Sequence, residues 1–192
     1  MSIIRRRLMQ LKVNLPYGYE LLNYIENVST AYIDTDYVPT NNIKIKAKFR
    51  LANIPGDNIL FWGGNRISLN MYSGRLYYMF GSNVSQTDYN RGTPIQRNKD
   101  YEVLVDKGTL TFDGQEYLPN NTIKESTDNL ILYHKRSLGA KARYYYFQIW
   151  DNDILFRDFI PVRRVSDLEI GLFDRVENKF YISPNGEKFI GG

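Results

Sequence analysis

From residue 42 to residue 52 the chain alternates without a break: Ile43, Ile45, Ala47, Phe49 and Leu51 fall on one side, and Lys44, Lys46, Lys48 and Arg50 on the other. A period of two describes a strand with one dry face and one wet face, and an amphipathic helix cannot carry it. The alternation returns at residues 67–71 and again at 101–105, where Tyr101, Val103 and Val105 oppose Glu102. Further strands are expected at residues 59–62, 75–80, 109–112, 115–118, 129–134, 142–150, 154–160, 168–173, 179–182 and 187–190. Between these runs stand the turn pairs Gly63-Gly64, Ser73-Gly74, Lys107-Gly108, Asp113-Gly114 and Asn185-Gly186, together with Asp151, Asn152 and Asp153. Roughly a dozen short strands with turns every 8 to 12 residues imply an antiparallel arrangement, because a parallel sheet needs crossover helices and none is signalled. The expected fold is all-β, an antiparallel two-sheet jelly-roll sandwich with an extended N-terminal arm.

With 192 residues, 43% of them hydrophobic, the chain matches one core, so one domain over residues 15–192 is expected. Aromatics make up 15% and include 16 Tyr, too much ring area for a disordered chain. No apolar run nears the roughly 20 residues of a membrane-spanning helix, so no membrane span is expected. With no cysteine, a disulfide framework and thiolate zinc are excluded.

The formal charge of +4 is confined to one end. Residues 1–16 hold Arg5, Arg6, Arg7 and Lys12 and no acid, which leaves 21 cations against 21 acids in the remainder. A balanced body lacks the positive field that gathers phosphate, so nucleic acid is not an expected partner. Residues 1–14 read instead as a docking arm: Leu8, Met9, Leu11 and Val13 interleave with the cations, a pattern suited to an acidic-rimmed apolar groove. The named docking residues are Arg5, Arg6, Arg7, Leu8, Met9 and Leu11. Gln10 and Lys12 interrupt the apolar stretch after the arginines, so the segment is not read as a secretory signal.

Residues 15–26 (LPYGYELLNYIE), 30–35 (TAYIDT) and 37–39 (YVP), with 146–153 (YFQIWDND), 157–164 (RDFIPVRR), 169–174 (EIGLFD), 179–181 (KFY) and 189–192 (FIGG), resemble the opening and closing strands of concanavalin A-like (laminin G-like) jelly-roll domains. The leader at 3–9 (IIRRRLM) resembles the start of structural proteins in Bacteroides-infecting, crAss-like phages. The resemblance implies a non-enzymatic virion structural protein, a head or tail decoration or fibre-type component, present in multiple copies and contacting other virion proteins. A lectin-like module for host or mucosal glycans is the alternative. Within these motifs, Pro161 is expected to end strand pairing, Gly171 to permit close backbone passage, and Asp158, Arg163, Arg164 and Asp174 to pair across strands.

Chemistry-bearing residues are sparse. Glycoside hydrolysis needs two converging carboxylates, yet the close-spaced acids Asp34/Asp36, Asp151/Asp153 and Asp167/Glu169 all fall at expected strand ends or turns. His134 is the single histidine and has no motif around it. No enzymatic activity and no resident cofactor are therefore expected, with calcium at Asp151, Asn152 and Asp153, or at Asp57 and Asn58, kept as a candidate because the resembling superfamily often holds one. The candidate glycan or interface aromatics are Tyr72, Tyr77, Tyr78, Tyr89, Tyr144 and Tyr146. Strict alternation places Tyr145 on the side opposite Tyr144 and Tyr146.

Overall fold

The computed structural model describes residues 15–52, 58–64, 67–72, 75–81, 95–117, 127–133 and 141–192; the expected arm at 1–14, His134, Asp57 and Tyr89 lie outside the described residues. The described residues contain strands and turns and no helix. In chain order the strands are β1 (Tyr19–Leu21), β2 (Ile25–Asn27), β3 (Ile33–Asp34), β4 (Ile43–Leu51), β5 (Asn58–Gly63), β6 (Ile67–Tyr72), β7 (Arg75–Phe80) and β8 (Asp100–Asp106). They continue as β9 (Thr109–Phe112), β10 (Gln115–Tyr117), β11 (Ile131–Leu132), β12 (Ala142–Asp151), β13 (Ile154–Arg164), β14 (Ile170–Asp174), β15 (Lys179–Tyr181) and β16 (Phe189–Gly191).

The larger of two antiparallel sheets runs β10-β9-β8-β4-β12-β13-β14-β15, with β2 and β16 attached beside β12 and β1 beside β13. The smaller runs β3-β11-β5-β6-β7. The alternation in residues 43–51 decides how they pack: Ile43, Ile45, Ala47, Phe49 and Leu51 are wholly buried, and the lysines between them face out. Phe147 of the larger sheet meets Phe61 of the smaller edge-on at 5.9 Å. Two buried phenols cross the core in opposite directions. Tyr144 on β12 donates to the Leu60 carbonyl of β5 at 2.7 Å, and Tyr133, after β11, donates to the Ile25 carbonyl of β2 at 3.1 Å. Each hydroxyl finds a partner where water cannot reach, which is the condition for placing Tyr in a core.

Three strand boundaries differ from the expectation. Pairing does not stop at Pro161; β13 continues to Arg164, and Pro161 stands opposite Leu172 of β14. On its other edge β13 changes neighbour, from β12 up to Phe159 to β1 from Val162 onward. Pro161 occupies the gap, where its carbonyl accepts from Leu22 N at 3.0 Å and no ladder needs its missing N–H. The strand expected at 129–134 shrinks to two residues because Tyr133 adopts a left-handed φ of 57°, which turns the chain away. Leu168, at φ 60°, likewise belongs to the turn before β14, which starts at Ile170.

Gly171 has the role expected of it. A Cβ there would sit 2.2 Å from the Tyr181 carbonyl oxygen, so only glycine lets β14 and β15 approach. A small second apolar cluster covers the outside of β13 and β14: Leu15 and Tyr19 pack on Ile160, Val162, Phe173 and Phe180. Tyr19 lies 5.1 Å from Phe173 and 5.3 Å from Phe180. The polypeptide is thus pinned to the sheet immediately after residue 14.

Candidate functional site

The outer face of the larger sheet gathers the unusual side chains, and a bulge in β12 puts them there. β12 pairs with β4 as Tyr144 with Phe49 and then Tyr146 with Lys48, so Tyr145 is the extra residue. An extra residue reverses the alternation beyond it. Tyr144 therefore points inward with Phe147, while Tyr145 and Tyr146 both point outward, half-buried. This corrects the expected pairing of Tyr144 with Tyr146. Tyr144 is wholly buried against Tyr133, Phe147 and Phe49, at ring separations of 5.0, 5.7 and 6.4 Å, and offers no surface.

Tyr78 is half-buried, its ring packed against the core and its hydroxyl donating to the Gly108 carbonyl at 2.9 Å. Tyr77 is half-buried on β7; the Tyr72 side chain lies outside the described residues. Sequence reading missed Tyr24, Tyr145 and Trp150 as outward rings. The signal was present in the change of phase between Ala142, Tyr144 and Phe147, Ile149, the buried positions of β12.

On this face β4 is flanked by β8 and β12. Lys44 lies between Asp106 and Trp150, Lys46 between Leu104 and Gln148, Lys48 between Glu102 and Tyr146, and Arg50 between Asp100 and Arg143. The ends of the row are neutralised. Lys44 Nζ is 3.1 Å from Asp106 and 2.8 Å from Asp153, and Lys107 reaches the other Asp153 oxygen at 3.0 Å. Arg50 Nε is 2.5 Å from Asp100, Lys48 joins the same carboxylate at 3.6 Å, and the Tyr145 phenol donates to it at 2.9 Å. Arg143 pairs with Glu26 at 2.5 Å and stacks over Tyr24 at 4.2 Å. Lys48 lies 5.3 Å from the Tyr145 ring centre. These partners hold the Asp100 and Asp153 carboxyls below their ordinary range, through hydrogen bonds from Arg50 and from Lys44 respectively.

The middle of the row differs. Lys46 is exposed and, of the four β4 cations, is the one without an acidic partner among the described residues. Beside it Gln148 donates to Asp158 at 3.0 Å, and Asp158 pairs with Arg175 at 2.5 Å. The Tyr146 phenol is pushed up to about 12, by burial first and then by the Glu102 carboxylate to which it is directed. Glu102 lies two strands away, about 10 Å, so the Tyr146 ring must lie across β4 to reach it.

The candidate calcium residues fit the ion poorly. Asp153 is already bridged by two ammonium groups, Asp151 accepts from Thr40 at 2.8 Å, and Asn152 accepts from Asn42 at 2.8 Å. Calcium wants six to eight oxygen donors, whereas this turn is closed by cations and amides. Among the described residues no three His, Cys, Asp or Glu side chains converge as a metal site. Asn58, the described half of the other candidate pair, lies on β5, and its side chain is outside the described residues.

The remaining acid pairs are occupied as well. Asp36 binds Lys179 at 2.6 Å, Asp34 accepts from the Asp36 amide at 3.0 Å and from Asn129 at 2.9 Å, Asp167 binds Arg164 at 2.6 Å, and Glu169 binds Lys188. Of the strand-end charges, Arg163 pairs across strands with Glu20 at 2.5 Å, whereas Arg164 pairs within its own turn, with Asp167, and not across strands as expected.

Buried phenols set a pH limit on the whole arrangement. Burial pushes Tyr37 up to about 12 and holds Tyr133 and Tyr144 well above the ordinary value. The unfolded chain releases these protons near pH 10, so above that point it binds fewer protons than the native state and stability falls as pH rises. The unfolding midpoint should be level toward about pH 10 and drop steeply beyond it. A midpoint that stays level well above about pH 10 would contradict this.

Comparison with protein-family models and with curated proteins finds no match to this chain.

Proposed function

We propose that the protein is a non-enzymatic structural component of a phage virion, in which residues 1–14 dock to other virion proteins and a concanavalin A-like jelly-roll sandwich is displayed. The observation that carries this reading is the root of the arm. Leu15 and Tyr19 are fixed on β13 and β14, while next to them Tyr17 is fully exposed and Val165 and Leu168 are 48% and 65% exposed. The Val165 amide donates to the Gly18 carbonyl at 2.8 Å, which brings these exposed side chains to one lip. Apolar residues left in water around a pinned tether form a natural margin for a contact that continues into Leu8, Met9 and Leu11. The resemblance of the leader to phage structural proteins, and of the strand motifs to concanavalin A-like domains, supplies the setting.

Deleting residues 1–14 should leave the unfolding midpoint of the domain nearly unchanged and abolish its incorporation into particles, measured by the protein composition of purified virions. Normal incorporation of the truncated chain would refute the anchor.

A second reading, a lectin-like module for host or mucosal glycans, is favoured by one observation: Tyr146 and Trp150 flank Gln148 and Lys46 on an open sheet face. Carbohydrate sites combine such apolar faces with a few placed polar groups. The two readings are compatible, since an anchored domain can present a binding face.

A further inference from the structure

We propose that the outer face of β4 and β12 binds an acidic polysaccharide, with a sugar carboxylate at Lys46 and sugar rings lying against Tyr146 and Trp150. The inference deepens the carbohydrate reading and rests on it, and it is independent of the arm.

The register carries the argument. Along β4 the cross-strand neighbours on β8 are Asp106, Leu104, Glu102 and Asp100, so an acid faces Lys44, Lys48 and Arg50, and an apolar residue faces Lys46. On the other flank Lys46 meets the neutral amide of Gln148. Charge pairing is thus complete at both ends of the face and interrupted at its centre, which leaves one ammonium whose complement is an external anion. Tyr146 and Trp150 stand two residues to either side of Gln148 on the same strand, their backbones about 13 Å apart, with Lys46 opposite Gln148 on the neighbouring strand. A ring, an amide with an ammonium, and a second ring form a linear footprint. A flexible acidic peptide would use the cation and leave the rings unexplained. A chain of pyranoses offers a flat apolar C–H face to each ring and a carboxylate between them. The face as a whole is close to charge balance, so the anion is selected locally at Lys46 rather than gathered by a broad positive field.

The test measures binding of the full chain to polygalacturonate, alginate and hyaluronan oligosaccharides, each beside its carboxyl-reduced counterpart. The expected result is binding to at least one acidic oligosaccharide that weakens with salt and is weaker for the reduced form. Lys46→Gln should lower affinity for the acidic form about fivefold and leave the reduced form unchanged. Trp150→Ala and Tyr146→Ala should each lower affinity for both forms about tenfold. Unfolding midpoints identify any ring variant that fails to fold. Lys46 is exposed, so Lys46→Gln alone keeps the test decisive.

Equal binding of acidic and reduced forms, unaffected by Lys46→Gln, would overturn the acidic assignment and leave carbohydrate recognition standing. Binding that no substitution on this face alters would overturn the site. No binding to any form, acidic or reduced, would overturn both the proposal and the carbohydrate reading.

Discussion

Replacing Tyr144 with alanine is expected to destabilise the protein by about 4 kcal/mol, the scale of removing a fully buried aromatic ring, and to lower the unfolding midpoint by about 10 °C. The ring is wholly buried and touches Tyr133, Phe147 and Phe49, so its removal opens a cavity between the two sheets. Its hydroxyl also ties β12 to the Leu60 carbonyl at 2.7 Å. That carbonyl has a second donor, the Tyr133 amide at 2.9 Å, so it remains satisfied when the phenol is lost. Tyr144→Phe should therefore cost only about 1 kcal/mol, the net worth of one hydrogen bond. Denaturant unfolding of the two variants checks both numbers. Comparable losses for Phe and Ala would mean that the hydrogen bond, and not the packing, holds the sheets together at this point.

Asp174→Ala should be equally damaging, at about 4 kcal/mol, because it strips the partner from a buried cation. The carboxylate is wholly buried at the end of β14. Its Oδ1 accepts from the Asp158 amide at 2.8 Å and the Val176 amide at 3.0 Å, and its Oδ2 faces Arg157 Nε at 3.6 Å. Arg157 is itself 3% exposed and donates to the Thr35 carbonyl at 3.0 Å, while Glu177 holds its other end at 2.7 Å. Loss of Asp174 leaves the buried Asp158 amide and the part-buried Val176 amide without this acceptor and weakens the charge balance of a guanidinium that cannot reach water. Asp174→Asn retains an acceptor for the amides and should cost less than half as much. Urea midpoints for the pair separate these contributions: equal losses would assign the whole effect to charge, and a negligible loss for both would show that Glu177 and Thr35 suffice for Arg157.

These two positions also mark where reading the sequence reached its limit. Asp174 was expected to pair across strands near a sheet edge, and it does stand beside a cation. Its complete burial depends on where β13 sets the Asp158 amide and Arg157 against it, which the local sequence does not carry. Tyr144 was misplaced because alternation was extended through residue 145. The phase change from Ala142 and Tyr144 to Phe147 and Ile149 was visible, but a bulge is certain only when Lys48 is seen opposite Tyr146. The opposing strand decides which residue is surplus. Pro161 shows the same dependence, since proline interrupts a ladder only if a neighbour needs its N–H. There the pairing of β13 with β12 has ended and its pairing with β1 has not yet begun.

The amino-acid sequence by itself determined the all-β character, the neutral body, the concentration of excess charge in residues 1–16, and the inward face of β4. Each of these follows from residue type at fixed spacing, because side chains alternate across a strand whatever lies beside it. Only the tertiary structure decided which tyrosines are core and which are surface, where strands change neighbours, and that Lys46 alone among the β4 cations meets no acid among the described residues. Those facts belong to register between strands distant in the chain, and register is settled when two sheets close on a shared core.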